Sequence, residues 1–320
     1  MKSKYAGMDY SKYGYFFSIP FIVAFALFSL YPTILTAYLG FTNRQGLMQA
    51  EYGILDNPFE NFKTILQSDI FKLSLKNTIS IWMMNFVPQI VIALLLTAWF
   101  TSHAIDLKGK GFFKVVFYMP NIITAATVAI LFSALFGYPK GPVNDMLMSF
   151  GRDEAFFFLN NKQATRLIVA FIQFWMWYGN TMIVLVSGVL GISPDIYEAA
   201  QIDGANGVQT FFLITIPNLK TILLYNLVTS LVGGLNMYDI PKLLRDGGPD
   251  NATLTTSVYI YNQAFMGSYK YNTASAASMV MFIIIAICSA ILFYIMRDKD
   301  EARLEKEKKA KLKEAKRRGY

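Results

Sequence analysis

The residues able to do chemistry are few, and their placement is uneven. One histidine, His103, and one cysteine, Cys288, among 320 residues leave no multi-His or Cys-rich metal site and no disulfide framework. Gly109-Lys110 lacks both the glycine five positions upstream and the hydroxyl residue after the lysine that a Walker A loop requires. Two constellations remain. Gln173, Trp177 and Asn180 fall at i, i+4 and i+7, one stripe of a helix, and further on Asn226, Ser230, Gly233 and Met237 share a face, with Gly234, Asn236 and Tyr238 near its end. Amides match sugar hydroxyls and aromatic rings stack on the apolar faces of pyranoses, so these stripes suit a neutral sugar. No Lys or Arg lies deep in either, which argues against phosphate or another anion. The same residue types also serve helix–helix packing, and the sequence leaves both readings open. The second constellation is acidic. Between Arg166 and Lys220 lie 53 residues without Lys, Arg or His, and within them the segment 191–218 carries Asp195, Glu198 and Asp203.

The elements that must position these groups follow from composition. The chain is 54% hydrophobic and 16% charged, against about 25% charged in a soluble domain, so the solvent of much of this chain is lipid. A membrane-crossing helix needs about 20 predominantly apolar residues. Six stretches meet that length within a few residues: 15–39, 77–101, 112–136, 167–190, 219–240 and 276–296. The first is too long for a signal-peptide core and reads as a retained anchor. The net charge of +8 is local, because residues 297–320 hold 11 Lys/Arg against 6 Asp/Glu. That tail's only aromatic is Tyr320, which argues against nucleic acid. Cationic termini and the short 102–111 loop favour the cytoplasm, placing both ends of the chain inside and the loops near 40–76, 137–166 and 241–275 outside.

The 191–218 loop breaks that positive-inside pattern. An acidic cytoplasmic loop gains nothing from anionic lipid headgroups, so a protein partner or plain solvation must explain it. Ser193 suits an N-cap, Pro194 the first helical position and Asp195 the helix dipole. The spacing predicts a helix over 194–203, ~15 Å long and stopped at Gly204, followed by an apolar stretch from Val208 to Ile216. Small Ala199 and Ala200 permit close approach, and Glu198 or Asp203 can pair with basic groups. Equally, Glu198 can complete a helix-terminal charge pattern and Gly204 can simply end a helix.

Glu198-Ala199-Ala200, then Asp203-Gly204-Ala205, Phe211, Ile214 and Pro217 resemble the EAA loop of binding-protein-dependent ABC-importer permeases. Trp175, Gly141-Pro142-Val143-Asn144, the segment Leu243 to Thr253 with its Gly247-Gly248-Pro249 turn, Tyr259-Ile260-Tyr261, Ala264-Phe265 and Ala274 to Ala277 extend the likeness over about residues 73–293, towards the maltose-type carbohydrate subfamily. Two positions depart from it: Thr221 stands where a second proline is frequent, and Arg245 replaces the usual threonine before the Gly-Gly-Pro turn.

The resemblance implies an all-α integral membrane protein with six transmembrane helices and the type I ABC importer permease fold. Residues 1–72 would hold the cytoplasmic N-terminus, first span and outer loop, 73–296 the permease core with coupling loop 191–218, and 297–320 a basic cytoplasmic tail. It assigns Glu198, Ala199, Ala200, Asp203 and Gly204 to a cytoplasmic coupling helix that docks on a separate ATPase subunit. It further implies a second homologous permease, an extracellular solute-binding protein, an oligosaccharide as cargo, and ATP and Mg on the partner ATPase with no cofactor on this chain. The chain is then a multi-pass cell-membrane subunit and not itself an enzyme, with substrate contacts expected from Gln173, Trp177, Asn180, Ser230, Asn236 and Tyr238. The rival readings are a permease for another neutral or phosphorylated solute such as glycerol phosphate, and an ion-coupled carrier, which would need titratable or ion-coordinating groups at the midplane, of which these spans offer almost none. His103 reads as interfacial, Cys288 as core packing, Asp239 as lying at the outer membrane edge, and the tail as a solvated helix with Glu305/Lys309 and Glu307/Lys311 pairs.

Overall fold

The computed structural model describes residues 11–49, 51–102, 108–267 and 269–296. His103 and the tail from 297 lie outside the described residues. Among those described, regular structure is helical apart from one isolated bridge between Thr42 and Ile54. Four helices are long and apolar enough to cross a membrane, and six spans result when each of two bent pairs is taken as one.

Two compact units form. The first runs to Ser68 and takes in Ile260–Phe282. Its span is α1 (Ser11–Phe25), a π-helical turn (Ala26–Leu30) and α2 (Tyr31–Gly40), with Pro32 directly after the π turn, where it has no N–H to offer the otherwise continuous helical run. None of that span's apolar window is buried. After it, α3 (Glu60–Gln67) is tied down by Asn61, whose amide donates to the carbonyls of Gly40 (2.9 Å) and Thr42 (2.8 Å) while accepting from Asn272 (3.1 Å).

The second unit comprises Asp69–Tyr259 and the chain from Ile283. Its centre is the packing of α4 (Asp69–Thr101) on α8 (Lys162–Leu190). The third span departs from the continuous helix expected over 112–136. It consists of α5 (Lys110–Tyr118), a 3-10 turn (Met119–Ile122) and α6 (Ala125–Leu135), bent by 90°. Pro120 supplies no N–H to continue α5, Ile123 turns extended, and Thr124 starts α6 by accepting from the Thr127 amide at 3.3 Å. Beyond α6, α7 (Pro142–Ser149) is held by buried Asn144, which donates to the Gly137 (2.8 Å) and Phe156 (3.1 Å) carbonyls and accepts from the Phe156 amide (2.8 Å). The Gly-x-x-Asn segment is thus a loop rivet.

The helix expected over 194–203 is α9 (Pro194–Ile202). Ser193 occupies the cap position but its hydroxyl caps nothing; the side-chain cap expected there belongs instead to Asn206, whose capping box with Gln209 starts α10 (Gly207–Gln209). A π-helix (Thr210–Thr215) and α11 (Ile216–Asn218) lead to α12 (Lys220–Leu235). The Gly207–Asn218 segment meets the following helix at 68°. The turn is made at Leu219, two residues after Pro217, so the bend occurs without a second proline at Thr221. The fifth span also ends earlier than 240. Leu235 is its last helical residue, and α13 (Asp239–Arg245) begins after a break at 236–238. The glycine pair at 233–234 weakens the last turn of α12, and the Thr255 hydroxyl takes the Met237 carbonyl at 2.8 Å.

The 246–255 turn is bolted to the bundle. Arg166 on α8 donates to the Ala252 carbonyl (3.1 Å) and to Asn77 Oδ1 (3.0 Å), and Asn77 on α4 donates to the Asn251 carbonyl (2.7 Å). Asn77 is buried, so Arg166→Met, which keeps the stem but removes both donors, is expected to cost about 1–3 kcal/mol, read as a lower thermal midpoint of the purified protein. Arg245 rests its guanidinium 6.0 Å from the Phe157 ring, pointing its unusual charge at an aromatic platform. The chain ends its described part with α14 (Thr256–Phe265) and α15 (Tyr271–Met296); Cys288 is only half-buried on α15, where most side chains beyond Met281 face outward, so it is not a core residue.

Candidate functional site

A cavity of about 510 Å³ opens within the second unit among α4, α8, α12 and the 236–239 segment. That volume falls in the usual range for small-ligand sites. Gln173, Trp177 and Asn180 line it from α8, Ser230 and Gly233 from α12, Asn236 and Tyr238 from the break beyond, and Asp239 from the start of α13. The structure therefore brings together all six residues expected to meet substrate, although Asn236 and Tyr238 reach it from the break and not from a helix face.

The α4 contribution was missed by sequence reasoning. Trp82, Asn85 and Gln89 also line the cavity, at spacings of three and four within the second span, and that periodic interruption of an apolar run was the available signal. Trp82 is the most constrained of them. Its indole N–H donates to Ser230 Oγ at 3.2 Å, its ring stacks on Phe86, and it lies over Gly234, where an added Cβ would stand 2.0 Å from Trp82 Cδ1.

The two readings of these polar residues both hold, for different members. Gln89 donates to Thr181 at 2.8 Å between α4 and α8, and Asn85 and Asn226 donate to the carbonyls of Ile81 and Ile222, one turn earlier on their own helices. Those amides serve the bundle. The side-chain amides of Gln173 and Asn180 bond no protein group among the described residues, and Trp177 is 47% exposed. They are the groups left for a ligand. No Lys, Arg or His lines the space, and Asp239 is its one charged lining residue. Amide donors and acceptors beside indole faces can hold a polyhydroxylated, uncharged molecule; nothing in this lining neutralises a phosphate.

The second predicted site, α9, has two faces. Ile196, Glu198, Ala199, Asp203 and Gly204 are exposed, and Ile202 is 86% exposed. Ala200, expected to line a docking surface, is buried in its own chain together with Tyr197, because both fall on the side of the helix that packs inward. Gly204 ends the helix with φ +76°, a conformation that L side chains rarely adopt.

Bent apolar helices around a polar cavity, with a short amphipathic helix exposed at one end, define a membrane translocation subunit. The chain belongs to the family described as binding-protein-dependent transport system inner membrane component, whose model matches residues 68–306. It is 29% identical over 293 residues to the lactose transport system permease protein LacF of Rhizobium radiobacter, covering 91% of this chain and 96% of that protein. It is 30% identical over 284 residues to the probable ABC transporter permease protein YesP of Bacillus subtilis, covering 88% and 89%. A crystal structure of a bacterial ABC transporter involved in import of the acidic polysaccharide alginate superposes with a TM-score of 0.74 and 25% identity, covering 90% of this chain and 97% of that one. The protein is a multi-pass membrane permease.

Proposed function

We propose that this chain is the membrane-spanning subunit of an ATP-driven importer, carrying an uncharged carbohydrate through the α4–α8–α12 cavity. The observation that carries the reading is the lining itself: unpaired Gln173 and Asn180, indoles Trp82 and Trp177, and no cation. The likeness to a lactose permease supports a sugar as cargo. The likeness to an alginate importer supports the transport class, while the cation-free lining here, with Asp239 its one charge, favours a neutral glycan over an acidic one. A glycerol phosphate finds no counter-charge in this cavity. Energy arrives from partners: ATPase subunits seat on Glu198, Ala199, Asp203 and Gly204, a second permease completes the pore, and an extracellular binding protein delivers the sugar. Both termini lie in the cytoplasm.

The test is Trp177→Ala in the assembled system. Removing a stacking face is expected to cost about 1 kcal/mol or more of sugar affinity, lowering the ATPase activity stimulated by the sugar-loaded binding protein about fivefold while the complex still co-purifies. Unchanged stimulation would return this stripe to helix packing.

A further inference from the structure

Tyr197 and Ala200 are the buried residues of α9, and of the two only Tyr197 is long enough to reach far into the unit. Its ring joins a cluster with Phe100 of α4, Leu185 and Val189 of α8, and Leu219 at the foot of α12. Its hydroxyl stands 3.2 Å from Thr215 Oγ1, and that oxygen stands 3.3 Å from the Thr210 carbonyl. Thr215 has one hydroxyl proton. With that proton given to Thr210, Tyr197 must be the donor to Thr215, so the chain of bonds runs from the coupling helix to the first carbonyl of the π-helix. Thr210 and Thr215 are the two ends of that element.

π-Helical turns, bonded i to i+5 and so wider than the α-helices beside them, are rare and are frequent at functional sites. Here the turn sits between α9 and α12, the helix that carries Ser230 and Gly233 into the cavity. Beside it a second space of about 270 Å³ is bounded by Thr101, Tyr197, Gln201, Phe211 and Thr215. The ring and the wide turn have room to shift.

We infer that Tyr197 is a positioning residue: through Thr215 it holds the π-helical register of 210–215, and so passes a displacement of α9 to α12 and the cavity. This rests on α9 being the ATPase-docking helix. The opposite, exposed face of α9, with Ile196, Glu198 and Ile202, receives the displacement, and the buried tyrosine transmits it.

The experiment uses the whole transporter with a cysteine reporter at the cavity. Cys288 is the chain's only cysteine, so a Cys288→Ser, Thr229→Cys reference gives one alkylation site in this chain, on α12 facing the cavity, read on the separated subunit. N-ethylmaleimide labelling rates are compared without nucleotide and after trapping with ATP and vanadate. Tyr197→Phe and Thr215→Val are each expected to shrink the nucleotide-dependent change in labelling about fivefold, the equilibrium factor of one neutral hydrogen bond. The double variant should be no worse than either single, and ATP hydrolysis per assembled complex should be retained. A full labelling response in both variants overturns the inference. So does a loss of assembly that lowers hydrolysis and labelling response together, since that is the signature of a merely structural tyrosine. A reference complex that ignores nucleotide overturns the docking reading itself, and the inference with it.

Discussion

Glu198→Lys is expected to abolish uptake while leaving membrane insertion and folding intact. The side chain is exposed and forms no ion pair among the described residues, so the substitution removes no internal contact, and surface changes of that kind usually stay within about 0.5 kcal/mol. Its effect must come from outside the chain. Glu198 stands on an exposed face with Ile202, in a 53-residue stretch that offers no cation of its own. If α9 docks on the ATPase as proposed, reversing the charge places a lysine against the basic group that Glu198 meets. Breaking one member of a desolvated interfacial charge pair costs about 2–5 kcal/mol, enough to empty the ATPase site at micromolar protein. The checks are co-purification of the ATPase and vesicle uptake, measured beside an expression-matched unsubstituted chain. Normal uptake would remove Glu198 from the docking surface.

What was legible in the sequence followed from strong one-dimensional signals. Apolar length gave the spans, Pro194 and Gly204 gave the bounds of α9 to within one residue, and the i, i+4, i+7 spacing brought Gln173, Trp177 and Asn180 to one cavity wall. Breaks inside spans were hidden, because hydropathy does not register geometry. Pro120 and the glycine pair at 233–234 were visible as residues, yet the partners found far along the chain were not: Asn121 at the 90° bend donates to the Met176 carbonyl of α8, and past the end of α12 the Met237 carbonyl is taken by Thr255. Which alanine of α9 faces inward was equally hidden. A nine-residue helix can present either side to its own chain, and the choice of Ala200 over Ala199 is made by where Tyr197 finds its pocket. Trp82 was missed for a related reason: its significance lies in Gly234, 152 positions away, which leaves the space its indole fills.

Gly179→Val is expected to be the most damaging single change to the fold, and the contrast with Gly233→Val gives it meaning. A Cβ at 179 would stand 2.1 Å from the Phe117 carbonyl oxygen, 2.8 Å from its carbon and 2.9 Å from Tyr118 Cα. These are backbone atoms at the end of α5, immediately before the bend, and Asn121 fixes the same junction by donating to the Met176 carbonyl at 3.1 Å. No rotamer relieves such a contact; α8 and α5 must separate. Small residues let helix backbones approach in membranes where hydrophobic collapse supplies no force, so the separation forfeits packing that nothing else replaces. Overpacking costs about 1–3 kcal/mol when side chains can yield, and a backbone collision belongs at or above the top of that range. At 233 an added Cβ meets nothing within 4 Å, because that glycine faces the cavity. Gly233→Val should therefore keep the thermal midpoint of the purified protein while narrowing the route and depressing uptake, whereas Gly179→Val should lower the midpoint and the yield of folded chain together. Equal thermal midpoints for the two variants would mean that the α5–α8 approach is looser than these distances require.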